Sequence, residues 1–240
     1  MIDITNLHKR YGKIEVLKGV NLSIDAGKTT AILGPNGSGK TTLIKSILGI
    51  VKPTTGDICY LGKSILNQWL YRNEIAYLPQ IARFPENLKV RELVHFIENL
   101  RDQKGNYEDL VNLFELKFSL EKRLRNLSGG TRQKVNLLLT FMFDCPVYIL
   151  DEPTSGLDPV ALIRFKSLLN EKRLQQKTIL ITTHIIHMVE EIADEMVFLL
   201  EGNIYYQGSC EGLLANHHET DLEKAIASIL SNNHVENIKI

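Results

Sequence analysis

The sequence predicts an α/β fold: a core with a mostly parallel sheet, an antiparallel β subdomain from the N-terminus, and a helical subdomain inserted at about 86–126. Three observations predict it. Thr29-Thr30-Ala31-Ile32-Leu33 reads as a buried strand; it leads into Gly-Pro-Asn-Gly-Ser-Gly-Lys-Thr at 34–41, then into a helical stretch, Thr42 to Leu48, closed by Gly49. Val147 to Leu150 and Thr178 to Thr182 are further short runs, apolar or β-branched, as strands covered on both faces are. Residues 86–126 instead carry helical spacing at Val90, Leu93, Val94, Ile97 and Leu100, then Leu110, Leu113 and Phe114.

At 240 residues there is room for one such domain with a small inserted lobe. Lys+Arg and Asp+Glu both number 28, so the net charge is zero, which argues against a nucleic-acid partner. Cys59, Cys145 and Cys210 have no metal-ligand spacing and read as small buried hydrophobes in a reducing compartment. No apolar run approaches the roughly 20 residues of a membrane span, and the N-terminus has no signal-peptide core. Any membrane contact is therefore expected through a partner.

In chain order, Ile2 to Ile24 alternates as two half-buried antiparallel strands around a Gly12-Lys13 turn. Lys52 to Gly56 reads as a turn; Asp57 to Leu61 and Ile75 to Leu78 read as strands. The lobe helix starts after Lys89, a poor cap, with Asn87 the nearest better residue. Asp158-Pro159 is a strong helix start, and the helix should reach about Arg173. Val197 to Leu200 and Ile204 to Tyr206 form a hairpin around Glu201 to Asn203. Residues 1–215 form the principal domain; 216–240 hold one helix, capped by Thr220 with Glu223, and a frayed tail.

The loop at 34–41 fits the phosphate-loop pattern, so the core is of the phosphate-loop NTPase kind. Gly34, Gly37 and Gly39 allow positive φ, which turns backbone N–H groups inward on an anion. Pro35, Asn36, Ser38 and Thr42 complete the cradle, and the helix start adds partial positive charge. Lys40 reaches the β- and γ-phosphates and the Thr41 hydroxyl ligates Mg²⁺.

Other residues gain meaning from that loop. Asp151 and Glu152 end an apolar strand, at the edge where open α/β sheets bind ligands. Asp151 is placed to hold the Mg²⁺ shell and Glu152 to take a proton from water attacking the γ-phosphate. Gln80, after Pro79, can ligate Mg²⁺ or a water, or be a solvated loop residue. His184, after a strand, can donate to the γ-phosphate or be structural. Tyr11 can stack on adenine or pack on the sheet edge. Ser128-Gly129-Gly130 at a helix start is either an anion site or an ordinary cap.

Tyr11, the loop, Gln80, Leu127-Ser-Gly-Gly-Thr-Arg-Gln133, Ile149-Leu-Asp-Glu-Pro153 and His184 occur in one order. This resembles the nucleotide-binding domain of an ABC transporter, over residues 1 to about 215. The resemblance implies ATP and Mg²⁺ as ligands and two subunits sandwiching two ATP molecules head to tail. It implies that Ser128 and Gly130 contact the nucleotide of the other subunit, that Tyr11 stacks adenine, Gln80 senses Mg²⁺, Glu152 is the base, and Asp158 crosses the interface. It further implies a homodimer, or pairing with a sister subunit, bound to an integral membrane permease on the inner face of the cell membrane. Tyr77 to Asn87 is similar to the ATPase of the transporter that matures the copper sites of nitrous oxide reductase. Phe84, in that stretch, either tucks under the helical lobe or lines the groove that receives a permease helix. Soluble ABC ATPases of translation or DNA repair usually carry two cassettes or a long coiled-coil insertion, and a metabolic kinase does not need Leu127 to Gln133.

Overall fold

The computed structural model describes the backbone of residues 1–217 and 219–237, with side chains as far as Leu230. The strands are β1 (Ile2–Tyr11), β2 (Ile14–Ile24), β3 (Thr29–Leu33), β4 (Thr55–Tyr60), β5 (Lys63–Ser64), β6 (Ile75–Leu78), β7 (Val147–Asp151), β8 (Thr178–Thr183), β9 (Glu195–Leu200) and β10 (Asn203–Gly208). The α-helices are α1 (Lys40–Ile47), α2 (Val90–Arg101), α3 (Glu108–Leu113), α4 (Gly129–Phe141), α5 (Pro159–Leu174), α6 (Ile186–Ile192), α7 (Cys210–His217) and α8 (Leu222–Asn237). They fall into two compact units: residues 1–24, 28–66 and 183–240, and residues 25–27 and 67–182.

In the first unit, β1 pairs antiparallel with β2 and with β4, and β4 with the short β5. Ile2, Ile4 and Leu7 of β1 are buried, as are Leu17, Val20, Leu22 and Ile24 of β2. This alternation is what the sequence pattern requires of a one-faced sheet. Thr55 and Gly56, expected in a turn, belong to β4. Gly56 sits at φ +89°, opposite the bulge in β1 between Thr5 and His8, and a Cβ there would lie 2.2 Å from the carbonyl oxygen of Asn6, so only glycine lets the paired strands approach that closely. The same unit holds β3, wholly buried, parallel to β9, and the β9–β10 hairpin.

The glycine closing α1 acts as expected. Gly49 at φ +62° donates to the Ser46 carbonyl at 2.9 Å, and Ile50 donates to that of Lys45 at 2.9 Å. That pair of bonds is the Schellman termination. The C-terminal cap differs from expectation. Thr220 does not cap α8; the Asp221 carboxylate accepts from the N–H of Glu223 at 2.8 Å and of Lys224 at 3.2 Å. Asp221 stands one residue nearer the helix and carries a full charge against its N-terminus. Leu222, Ala225, Ile226 and Ile229 of α8 are buried. Residues 231–240 were expected to fray, but the helix continues to Asn237, since a polar stretch can carry on a helix already started on its buried face; 238–240 lie outside the described residues.

In the second unit β6, β7 and β8 are parallel, in that order. Helix α2 starts after Lys89, whose N–H is satisfied by the Glu92 carboxylate at 2.8 Å, so the weak cap is compensated from inside the helix. Val90, Leu93 and Val94 are buried. Helix α5 has Asp158 as N-cap and Pro159 first, and ends at Leu174, one residue past the expected end.

Candidate functional site: a phosphate loop and a strand-end acid pair

The phosphate loop lies in the first unit, between β3 and α1. Helix α1 starts earlier than the sequence suggests, at Lys40, with Gly39 before it at φ +110°. Gly37 is at φ +83° and a side chain there would meet open space. Gly34 is not at positive φ, contrary to expectation. Its reason is space: a Cβ would lie 2.1 Å from the Leu199 carbonyl oxygen and 2.8 Å from Ser38 Oγ. Behind the loop, the Gly202 N–H donates to the Ser38 carbonyl at 3.0 Å and the Lys18 N–H to that of Gly202 at 2.9 Å. The loop is thus braced by the main chain of the β9–β10 turn, which β2 holds in its turn.

Pro35, Asn36 and Gly37 are exposed, Ser38, Gly39 and Lys40 are buried, and Thr41 and Thr42 are half-buried. The Lys40 ammonium turns onto the loop, donating to the carbonyls of Gly34 at 2.6 Å and Pro35 at 3.1 Å. Ser38 Oγ is buried with no hydrogen-bond partner among the described residues. A buried hydroxyl without a partner is costly, and a phosphate oxygen would satisfy it. The loop therefore fits a phosphate-bearing ligand.

Tyr11, also in the first unit, ends β1 and is 48% exposed. The Lys9 ammonium lies 4.8 Å from its ring centroid, and the ring is not absorbed into the sheet edge. His184 follows β8 and is exposed; the next residue, Ile185, donates its N–H to Thr183 Oγ1 at 3.0 Å. His187 lies on α6, with its ring 3.2 Å from the Glu190 carboxylate.

The acids lie in the second unit. Asp151 ends β7 and Glu152 follows; they are 1% and 5% exposed. Glu152 has φ +50°, a left-handed conformation uncommon outside glycine and Asn or Asp. Asp151 accepts a short hydrogen bond from Thr182 Oγ1, and the Glu152 N–H donates to Thr182 Oγ1 and to the Thr182 carbonyl, each at 3.1 Å. Burial pushes the Tyr77 phenol up to about 12, the Asp151 charge adding to it, so this neighbour stays neutral.

Ser128 is the N-cap of α4, accepting from the Thr131 N–H at 3.3 Å. Its ordinary capping role is therefore real, and any ligand role is additional. Gly129 faces open space, whereas a Cβ on Gly130 would lie 2.8 Å from the Gly156 carbonyl oxygen. Gln133 Nε2 donates to the Pro153 carbonyl at 2.7 Å, and Asn136 Nδ2 to that of Pro79 at 3.1 Å. Helix α4 thus ties the loop after the acids to the strand end carrying Gln80, which is exposed. Asp158 caps α5 through the Ala161 N–H at 2.8 Å and pairs with Lys134 at 2.6 Å. Lys134 beside it, and then the Ala161 N–H, hold its carboxyl below the usual range. Sequence reasoning missed Thr182; the signal was the pair of hydroxyls, Thr182 and Thr183, that follows the apolar middle of β8.

The expected Mg²⁺ donors are hard oxygen groups of the kind that ion takes, Thr41 in the first unit and Gln80 and Asp151 in the second, with one carboxylate among the three. Among the described residues no cluster of three or more His, Cys, Asp or Glu could hold a metal by itself.

The family model for the ABC transporter matches residues 17–155. The chain belongs to the ABC transporter ATP-binding family. An ABC transporter ATP-binding protein of Synechocystis sp., itself uncharacterized, is 34% identical over 92% of this chain and 66% of its own length. The Nod factor export ATP-binding protein I of Burkholderia orbicola is 30% identical over 92% of this chain and 75% of its own length. Among solved structures, the ATP-binding subunit of an ABC transporter superposes with a TM-score of 0.89 at 27% identity, covering 96% of this chain and 99% of that one. A bacterial ABC transporter cassette in its dimeric structure gives 0.78 at 25% identity, over 87% and 98%. The fold is thus that of an ABC ATPase cassette, an ATP-binding subunit of an ABC transporter. Among the described residues no helix is long and apolar enough to cross a membrane.

Proposed function

We propose that this cassette binds ATP with Mg²⁺ and hydrolyses it to energise a membrane permease, working as one of two like subunits on the inner face of the cell membrane. The observation that carries the reading is the phosphate loop. A buried hydroxyl, a buried ammonium and a helix N-terminus share one short segment, and an anion is the ligand class that answers all three.

In this reading the loop from Gly34 to Thr42 holds the phosphates, with Lys40 leaving its loop carbonyls for the β- and γ-oxygens. Tyr11 offers its exposed ring to adenine. Thr41, Asp151 and Gln80 hold Mg²⁺, which neutralises charge on the phosphate oxygens. Glu152 accepts the proton of the attacking water, and His184 orients that water. Ser128, Gly129 and Gly130 meet the nucleotide of the second subunit, and open space at Gly129 supports such an approach. Asp158 reaches the interface in addition to its cap.

The permease contact is assigned to the segment from Ile81 to Glu86. Phe84 is half-buried and lines a cavity of about 220 Å³, with Tyr77, Pro79, Ile97, Leu139 and Phe143. The resemblance of Tyr77 to Asn87 to the copper-site maturation ATPase falls on this surface, so it bears on which permease is met. The export named for the Burkholderia relative supports an exporter. Copurification of the complex from membranes tests both points, and a permease unrelated to copper-enzyme maturation would remove the finer reading.

Glu152→Gln tests the catalytic assignment. It should bind ATP normally and hydrolyse it about 10²–10⁴-fold more slowly, the usual worth of a general base. More than about a third of wild-type turnover would exclude Glu152 as the base.

A further inference from the structure

We infer that Thr182 is the positioning residue of the hydrolytic pair, one hydroxyl holding both Asp151 and Glu152 in working geometry. The inference rests on the roles assigned to those two acids above.

Thr182 is fully buried near the end of β8, directly opposite Asp151 in the parallel register. Its strand predecessors are Ile179, Leu180 and Ile181, all fully buried, so apolar filling alone would favour another aliphatic side chain. A hydroxyl has one hydrogen to donate and lone pairs to accept with. Thr182 gives the hydrogen to Asp151 Oδ1 and takes the Glu152 N–H on Oγ1. Each bond has a separate geometric effect. The first stops rotation of the Asp151 carboxylate about its last torsion. The second, with the Thr182 carbonyl, fixes the amide of a residue in the left-handed region. An ordinary residue leaves that region readily for β, which would re-aim the Glu152 side chain. The two bonds meet at one atom, so a single substitution loosens both acids.

The test compares Thr182→Val, Thr182→Ser and Glu152→Gln in the full-length chain. Thr182→Val keeps the shape and removes the hydroxyl. It should lower kcat about tenfold, the cost of one lost charge-assisted bond, with KM for ATP within about twofold of wild type. Thr182→Ser should recover kcat to within about threefold of wild type. A second readout does not depend on turnover: Mn²⁺ bound with ATP, followed by electron paramagnetic resonance, should dissociate several-fold more readily from Thr182→Val, while ATP binding without metal is unchanged. If Thr182→Val does not fold, Thr182→Cys, of similar size but a weak donor, takes its place. Wild-type kcat and Mn²⁺ retention in a folded Thr182→Val overturn the proposal. So does a Thr182→Ser as impaired as the valine variant, because the methyl group would then be what matters. If Glu152→Gln also turns over normally, the failure lies in the assignment of the acids; if Glu152→Gln is slow, it lies with Thr182 alone.

Discussion

Lys40 and Ser128 separate the two kinds of nucleotide contact proposed for this cassette. Lys40 is buried inside the loop of its own subunit, so Lys40→Ala should lose both ATP affinity and rate. Ser128 lies at the start of α4, where its oxygen already caps the helix. Ser128→Ala should leave ATP binding by the isolated subunit nearly intact and lower hydrolysis. Calorimetric ATP titration of both variants checks this, and equal loss of monomer binding would count against a head-to-tail sandwich. Loss of the cap should also cost about 1 kcal/mol of stability, so a thermal melt belongs beside the titration. Gly34 gives a sharper case. With a Cβ only 2.1 Å from a carbonyl oxygen, Gly34→Ala must shift backbone, and ATP affinity should fall even though no ligand-facing group is removed.

At the scale of elements, the strands and the helices flanking the loop were legible because period and composition speak locally. Thr29–Leu33 and Ile75–Leu78 match their expected limits, since short apolar or β-branched runs bounded by turn residues leave little latitude. The extension of β4 over Thr55 and Gly56 was not legible, because what demands a glycine at 56 is the backbone of Asn6, distant in sequence. The role of Gly34 was hidden for the same reason: its neighbour is Leu199. Helix α7 carries only Leu213 as a buried residue, too little periodicity to be read. The cap of α8 was misplaced by one residue because Thr220 and Asp221 are both good caps, and helix phase decides between them. Asp221→Ala should therefore destabilise the chain by about 1 kcal/mol, roughly 2–4 °C in Tm for a domain this size, with Thr220→Ala near neutral. Differential scanning calorimetry on the two variants distinguishes them.

For the molecule as a whole, the balance of 28 basic and 28 acidic residues leaves no general field to draw it to a membrane or a nucleic acid, so specific surfaces must do the work. Phe84 is the test of one such surface. It is neither core nor fully exposed, and Ile81 beside it is 72% exposed. Phe84→Asp should leave Tm and ATP binding of the isolated subunit nearly unchanged and reduce its recovery with the membrane partner. Burying one aromatic is worth about 1.5–3 kcal/mol, enough for a ten- to hundredfold loss of affinity. A marked fall in Tm with normal recovery would make Phe84 a core residue instead. Assembly has its own signature: with hydrolysis slowed in Glu152→Gln, ATP should move the chain from monomer to dimer in size-exclusion chromatography.

The brace behind the phosphate loop has a consequence for how fast nucleotides come and go. Ser38 and Gly202 are joined main chain to main chain, and Gly34 is wedged against Leu199, so the loop acquires its shape when the chain folds. The entropy of ordering it is then lost once, in folding, and is not charged again to each ATP that arrives. Binding should need no slow rearrangement of the loop, and ADP should be able to leave without melting it. Amide hydrogen exchange gives the measure. The Gly202 N–H should exchange slowly in nucleotide-free protein, and adding ADP should change its rate little.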